Sequence, residues 1–454
     1  MRKLNEFPSE FLSQLCKDFT DYNKIDPTEY TNYKVRRGLR YPDGSGVIAG
    51  LTLVGTVKGF VMDEGERHPA QGKLIYRGID CDDIVDCLVK ENRFGFEEVI
   101  YLLLFGVQPN HKQLEQFNRV LDSFRALPDS FTEDMIIKAA SPDIMNSLAR
   151  SVLALYSYDE NPDDLSLENM LKQCVMLIAC LPTIAAYAYS VKKRAYQGGT
   201  MHIRQPKPGL STAENFLRMI RPDGKYTDEE AKLLDLCLVL HAEHGGGNNS
   251  AFAARVLSSS GTDSYSVMAA AIGSLKGPLH GGANNKVCAM MEDIEANVKN
   301  WESKDEVFAY LQKIMRKEVG DKSGKIYGMG HAVYTLSDPR AVILKERARN
   351  LAQERGKLKN LKLIESIEEI APQVFAAEKG DGKIISANVD MYTGFIYDLL
   401  NIPRELFTPI FAISRIAGWC AHRIEEVTLG GRIIRPAYKS LAPKGKFIPF
   451  SDRK

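Results

Sequence analysis

Two histidines and one aspartate stand in separate short segments rich in small and turn-forming residues. The segments are Gly277-Pro-Leu-His280-Gly-Gly-Ala-Asn284, Tyr327-Gly-Met-Gly-His331-Ala-Val333 and Ser386-Ala-Asn-Val-Asp390-Met391. Small residues let the backbone come close to a ligand. Two imidazoles and a carboxylate gathered in one cleft can take up a proton, polarise a carbonyl and return a proton. That is the equipment for making and using an enolate. The residues after His280 are too small to cover its ring, so the ring should face a cleft rather than a core.

Other charged and polar positions allow more than one reading. His241-Ala-Glu-His244-Gly-Gly-Gly-Asn248-Asn-Ser250 follows the apolar run Leu233 to Leu240. Taken alone it reads first as a helix C-terminus with solvated histidines, and second as a place where an imidazole faces a cavity. His241 and His244 could also share a metal, but no orderly set of Cys or acidic partners stands nearby, so no metal site is assigned. Asp390 alone reads as an N-cap for a helix near Phe395 to Leu400. Nine residues after His331, Arg340 stands at a helix start, where a cation and a positive helix end together attract a carboxylate. Arg415 lies in the apolar stretch Phe411 to Trp419 and is costly to bury without an anion or a salt bridge. Arg435, near the C-terminus, reads alone as a solvated tail residue.

The elements that must hold these residues are mainly helical. Phe96 to Phe105 is apolar enough for a buried helix stopped by Gly106. Gln173 to Tyr189 suits a helix buried on most sides, with a kink at Pro182. Asp263 to Lys276 reads as an Ala-rich helix ended by Gly277-Pro278. Lys304 to Glu318 and Leu363 to Lys379 are amphipathic, the second with a kink or break at Pro372. Asp338-Pro339 predicts an N-cap and first turn for a helix running to Arg355, with Gly356 beyond it. Strand signals are confined to the N-terminal fifth, at Val47 to Val61 and Lys73 to Arg77. The Gly- and Asn-rich junctions at 277–285 and 380–394 read as hinges between lobes.

The chain of 454 residues is long enough for a large core and two lobes. Its 59 Lys and Arg against 58 Asp and Glu give a net charge of +1, which argues against nucleic-acid binding. Anionic ligands must then be met by a few well-placed cations. The eight cysteines are scattered with no C-x-x-C pair, which points to buried thiols in a reducing compartment. The first ten residues mix acids and bases without an apolar stretch, unlike a secretory or transit signal. No apolar run is expected to reach the roughly 20 residues that span a bilayer. A cytoplasmic protein without membrane partners is the expectation.

Together these motifs resemble the citrate synthase family, and the resemblance runs through almost the whole chain. It includes Gly38-Leu-Arg-Tyr-Pro-Asp-Gly-Ser-Gly46, Gly72-Lys-Leu-Ile-Tyr-Arg-Gly78, Glu97 to Gly106 and Leu210-Ser-Thr-Ala-Glu-Asn-Phe-Leu217, besides the segments above. It implies a mainly α, two-domain helical fold with minor β near the N-terminus, working as a homodimer. Residues 1–282 and 397–454 would form a large domain, and 283–396 a small domain closing over the cleft. Acetyl-CoA and oxaloacetate would be the substrates, CoA and citrate the products, with no permanently bound cofactor. Asp390 would be the base, His280 the donor to the thioester carbonyl, and His331 the group that polarises the ketone. His244, Arg340 and Arg415 would hold oxaloacetate, joined by Arg435 from the other subunit, while Asn248 and Ser250 support the histidines. The loop Ile326, Tyr327, Gly328, Met329 and Gly330 would lie against CoA. A 2-methylcitrate synthase using propionyl-CoA and a silent binder of acyl-CoA or dicarboxylate are the alternatives.

The chain departs from the family pattern in two places. Gly245 follows His244 where Glu is usual. The stretch Tyr334-Thr-Leu-Ser-Asp338 lacks the basic residue that some relatives bring to CoA phosphate.

Overall fold

The computed structural model describes residues 9–63, 66–380 and 384–453. The extreme N-terminus and part of the expected hinge, 381–383, lie outside the described residues. The chain divides into two compact units, one ending at Leu51 and one running from Thr52 to Lys454. The first unit carries α1 (Ser9–Tyr22) and α2 (Pro27–Asn32), neither with a buried residue. Asp26 caps α2 by accepting the Thr28 N–H at 2.9 Å.

The second unit opens with a three-stranded antiparallel sheet: β1 (Gly55–Asp63), β2 (Glu66–Tyr76) and β3 (Ile79–Asp80). The strand expected from Val47 begins only at Gly55; among the described residues, 47–54 pair with no strand, and Leu53 N–H donates instead to the Glu425 carboxylate at 2.7 Å. The second strand is longer than expected, since the hairpin pairs Gly55 with Tyr76 and continues past a bulge between Lys58 and Phe60.

Helices make up the rest. They are α3 (Cys81–Lys90), α4 (Phe96–Phe105), α5 (His111–Phe124), α6 (Ile144–Leu155), α7 (Leu167–Gln197), α8 (Thr212–Ile220), α9 (Asp228–His241), α10 (Asn249–Ser258) and α11 (Ser264–Lys276). They continue as α12 (Ala283–Asn297), α13 (Lys304–Met315), α14 (Pro339–Glu354), α15 (Leu358–Lys379), α16 (Asp390–Leu399) and α17 (Phe407–Thr428). The expected start and stop signals operate: Gly106 closes α4 at φ 77°, Asp263 caps α11, and Asp338 with Pro339 begins α14.

α7 and α15 run on as helix through Pro182 and Pro372, so the break allowed at Pro372 does not occur. Each proline removes one backbone bond, but both helices are held by neighbours packed along their length. The expectation that no apolar run is long enough to span a bilayer fails: among the described residues α7 alone is long and apolar enough to cross a membrane. Its apolar stretch is instead 94% buried in protein, packed against α6, α8 and α17 as the central core helix.

Candidate active site

The site grows out of the sheet. Gly59 and Gly72 lie so close to the segment after His331 that a Cβ on either would sit 2.3 Å from Val333 O or 2.2 Å from Ser337 O. That contact lets the hairpin clamp residues 333–337. Thr335 Oγ1 donates to Gly59 O at 2.5 Å, and Gly72 N donates to Ser337 Oγ at 3.2 Å. Thr335, which stands in the stretch lacking a basic residue, thus anchors the loop to the sheet.

The clamp sets the His331 ring. Its Nδ1 accepts the N–H groups of Val333 (3.0 Å) and Tyr334 (3.1 Å). A neutral ring accepting at Nδ1 carries its proton on Nε2, which makes Nε2 the donor. The ring stacks on Tyr334 at 4.6 Å, and the His244 ring lies 5.1 Å away.

Asp390 is brought to the same place by backbone stitching. Gly330 N donates to Ser386 O, Asn388 N to Gly328 O, and the Asn388 amide to Gly330 O, at 2.7–2.8 Å. The CoA-loop candidates are therefore tied to the strand-like approach to Asp390. Ile326 and Gly328 are buried, while Tyr327, Met329 and Gly330 are half-buried. A cavity of about 210 Å³ beside this loop is lined by Gly330, His331, Tyr334, Phe375, Lys379 and Ile385, among others.

The reading of Asp390 as an N-cap is corrected. It is the first residue of α16, and the Asp390 N–H donates to Asn388 Oδ1 at 3.0 Å. Its own carboxylate is left out of helix capping. Burial pushes Asp390 up to about 6, with Arg340 and Arg415 pulling it down and Asp338 pushing it up. Asp338 ties the parts together. It receives Arg340 Nε (3.0 Å) and Nη2 (2.7 Å), and also the N–H of Val389, next to Asp390, at 3.0 Å.

The reading of His241 and His244 as solvated is also corrected. His241 is fully buried and His244 is 9% exposed, because α9 ends inside the protein beneath α17 rather than at the surface. Burial, then Arg340, drives both well below the usual histidine range, so both are neutral. His280, half-buried, is lowered to about 4 by burial and then by Arg415. Its Nε2 lies 3.0 Å from Ser250 Oγ, which in turn lies 3.0 Å from Asn248 Oδ1.

Arg415 sits at the centre of this group. Its charge is felt by His241, His244, His280 and Asp390. It is 1% exposed, packs on Phe411 and donates Nε to His241 O at 2.6 Å. Among the described residues no carboxylate lies within salt-bridge distance of it, and burial lowers it to about 10. Arg415 Nη1, His244 Nε2 and the Tyr334 hydroxyl are buried without a protein partner. Each such group costs about 1–3 kcal/mol unless something meets it. A small anion with several oxygens would meet them together.

Arg435 is not gathered into this group. It lies exposed in the irregular segment after α17, and among the described residues it forms no hydrogen bond or ion pair. Among the described residues no group of three or more His, Cys, Asp or Glu side chains is placed to share a metal.

Sequence reasoning missed the carboxylate behind His244. Glu243, fully buried, accepts the Gly245 N–H and lies 2.9 Å from His422 Nε2. Arg255 Nη2 donates to His422 Nδ1 at 2.7 Å, so His422 donates from Nε2 to Glu243. A Cβ on Gly246 would come within 3.2 Å of Arg255 and 3.3 Å of His422. The glycines after His244 thus make room for a buried Arg–His–Glu chain, whose carboxylate precedes His244 instead of following it. The signal for it was available in part: Arg415, Trp419 and His422 recur at helical spacing on one face of α17.

This fold and site define a mainly helical acid–base enzyme with a buried cationic cleft. The sequence family described as citrate synthase, C-terminal domain, matches residues 45–437. The chain belongs to the citrate synthase family. It is 37% identical over 394 residues to citrate synthase of Acidithiobacillus ferridurans, covering 85% of this chain and 93% of that one. It is 32% identical over 428 residues to 2-methylcitrate synthase 1 of Corynebacterium glutamicum, covering 92% and 99%. Among solved structures it resembles citrate synthase from Thermotoga maritima, with TM-score 0.71, 30% identity, and 92% and 99% of the two chains covered. It also resembles the ternary complex of carboxymethyl coenzyme A and oxaloacetate with citrate synthase from Thermoplasma acidophilum, with TM-score 0.74, 25% identity and the same coverage.

Proposed function

We propose that the protein condenses acetyl-CoA with oxaloacetate and water to give citrate and CoA. The observation that carries this reading is the buried, unpaired Arg415, set among neutral histidines and a carboxylate poised near 6. Oxaloacetate has two carboxylates and a ketone. Its carboxylates suit Arg340, Arg415 and His244, and Arg435 of the partner subunit in a homodimer. Its ketone suits His331 Nε2–H.

The steps follow from proton positions. Asp390 removes a proton from the acetyl methyl group while His280 donates a hydrogen bond to the thioester oxygen as negative charge develops there. The enol carbon attacks the ketone carbon, and His331 passes its Nε2 proton to the new alkoxide. The citryl thioester is then hydrolysed by water, releasing CoA. The loop 326–330 holds CoA, and Asn248 and Ser250 support His280. Closure of residues 283–396 over the rest of the chain would keep water from the enol until that last step. A cytoplasmic location suits eight cysteines that are all unpaired.

The rate should follow the state of Asp390. Below about pH 6 the base is protonated, and kcat/KM should fall about tenfold per pH unit. His280, lowered to about 4, is neutral throughout that range and adds no limb of its own. A pH–rate profile flat between about pH 5 and 7 would remove Asp390 as the base.

The deciding experiment is CoA-thiol release from purified protein with oxaloacetate, comparing acetyl-CoA and propionyl-CoA with and without chelator. Faster release from acetyl-CoA, indifferent to chelator, is expected. One methylene in an apolar pocket is worth about 1–3 kcal/mol, so a preference for propionyl-CoA would shift the reading to 2-methylcitrate synthesis. Absence of release from either would overturn the enzymatic reading in favour of a silent binder.

A further inference from the structure

Three buried polar atoms are left over in the core behind the site. Among the described residues His241 Nδ1, His241 Nε2 and the Tyr397 hydroxyl have no hydrogen-bond partner, and both residues are wholly buried. Burial disfavours the charged form of each, so at neutral pH His241 is a neutral imidazole and Tyr397 an un-ionised phenol. Each then has one proton to donate and at least one lone pair to fill. A buried polar group left unmet is costly, and polar core sites of this kind are where proteins hold internal water.

The two residues face one seam. His241 ends α9 and packs its ring 4.4 Å from that of Phe411, while the Tyr397 ring on α16 lies 5.1 Å from that of Phe407. Phe407 and Phe411 are successive turns of one face of α17, about 6 Å apart along its axis. Two hydrogen bonds of about 2.8 Å through one water span nearly that distance. The Tyr397 hydroxyl also feels Cys237, one turn before His241 on the same face of α9. At its other end the seam meets the chemistry. Asp390 stands two turns before Tyr397 on one face of α16, and Tyr397 feels its charge. A long helical side chain leans toward the helix N-terminus, so the phenol reaches back toward Asp390. Arg415, whose Nε holds the His241 carbonyl at 2.6 Å, stands on the oxaloacetate side.

We propose that His241 and Tyr397 hold the water that hydrolyses the citryl thioester. The inference deepens the proposed function and rests on it for the reaction. Closure keeps bulk water from the enol, so the water of the last step has to be inside the closed site beforehand and away from the enol carbon. A water on His241 and Tyr397 meets both conditions, since it lies behind Asp390 and not in the cleft. The carbon it attacks is bonded to the one from which Asp390 took a proton, so the same carboxylate serves twice. The proton taken from the methyl group restores the one that His331 gave to the alkoxide, and the carboxylate is free again. Asp390 then takes one proton from the water as the water oxygen bonds to the thioester carbon. The carbon–sulfur bond breaks, and the thiolate takes up that proton to become CoA thiol. The second water proton leaves to solvent from the new carboxyl group.

The test supplies the intermediate directly. Citryl-CoA is given to the full-length protein, and CoA-thiol release is followed. Tyr397→Phe keeps the ring on Phe407 and removes only the hydroxyl, so hydrolysis should slow about tenfold, the scale of one hydrogen bond. His241→Leu should slow it to a similar degree. His241→Gln, which restores a donor and an acceptor, should recover most of the loss. The double variant Tyr397→Phe with His241→Leu should be little slower than either alone, because both lose the same water. In acid-quenched single turnovers from acetyl-CoA, each variant should consume oxaloacetate within a few-fold of the wild-type rate while citryl thioester accumulates. A role confined to packing would slow consumption and hydrolysis together. That result would overturn the proposal, as would unchanged hydrolysis in Tyr397→Phe and His241→Leu. If Tyr397→Phe fails to fold, the two His241 variants decide. The water itself is read in a crystal structure, as an ordered oxygen within hydrogen-bond distance of His241 and Tyr397, and a dry seam would overturn the proposal. A wild type that hydrolyses citryl-CoA but releases no CoA from acetyl-CoA would count against the condensation alone, and its variants would still decide the water. A wild type inert toward both would overturn the two together.

Discussion

Asp390→Asn is expected to lower kcat for condensation by about 10²- to 10⁴-fold, the range for loss of a positioned base. The change keeps the shape of the side chain and removes only its charge and basicity. The carboxylate makes no helix-capping bond, since the Asn388 side chain receives the Asp390 N–H, so the start of α16 should survive. Oxaloacetate affinity should hold or rise, because Asp390 competes with the ligand for the positive field of Arg340 and Arg415. Affinity from titration in the absence of acetyl-CoA, set beside turnover, separates the two effects. Near-normal turnover would eliminate Asp390 as the base, and a matching loss of affinity would make it a structural residue.

Arg415→Met should give the opposite pattern, with a fold that stays intact and a ligand that is lost. Arg415 is almost wholly buried, donates to one carbonyl, leaves Nη1 unpartnered and has no carboxylate within salt-bridge distance. Replacing a buried charge of this kind by an apolar side chain of similar length is often neutral or stabilising. The melting temperature should therefore hold or rise. Oxaloacetate should bind more weakly by about 2–5 kcal/mol, the scale for truncating one partner of a buried charge pair. The positive charge also lowers His244, His280 and Asp390, so all three should titrate at higher pH in the variant. The acid limb of the rate would then move upward. Unchanged affinity would sink the assignment of Arg415 to the substrate. A large drop in melting temperature would show that its role is to hold α9 against α17.

A good part of this molecule was legible in its residues. Helix ends such as Gly106, Asp263 and Asp338-Pro339 act through local geometry, and local geometry is written in a few consecutive residues. The three proton-handling segments announced themselves because small residues beside His280, His331 and Asp390 have no other obvious use. Arg415 stood out as a charge in an apolar helix. These are one-residue or one-turn arguments, and they need no knowledge of what lies across the chain.

Tertiary structure decided the rest. His241 and His244 read as solvated until the end of α9 was seen under α17. Asp390 read as a cap until Asn388 was found to receive its N–H. No pattern in the chain links Gly59 and Gly72 to the loop after His331, more than 260 residues away. Nor does any pattern link Glu243 to His422 or His241 to Tyr397. Burial and hydrogen-bond partnership depend on what other segments bring to a side chain. Those two quantities set its pKa, its tautomer and its freedom to meet a ligand. The residue types of the candidate site could be read in the sequence, but the protonation states on which the proposed chemistry depends are consequences of packing.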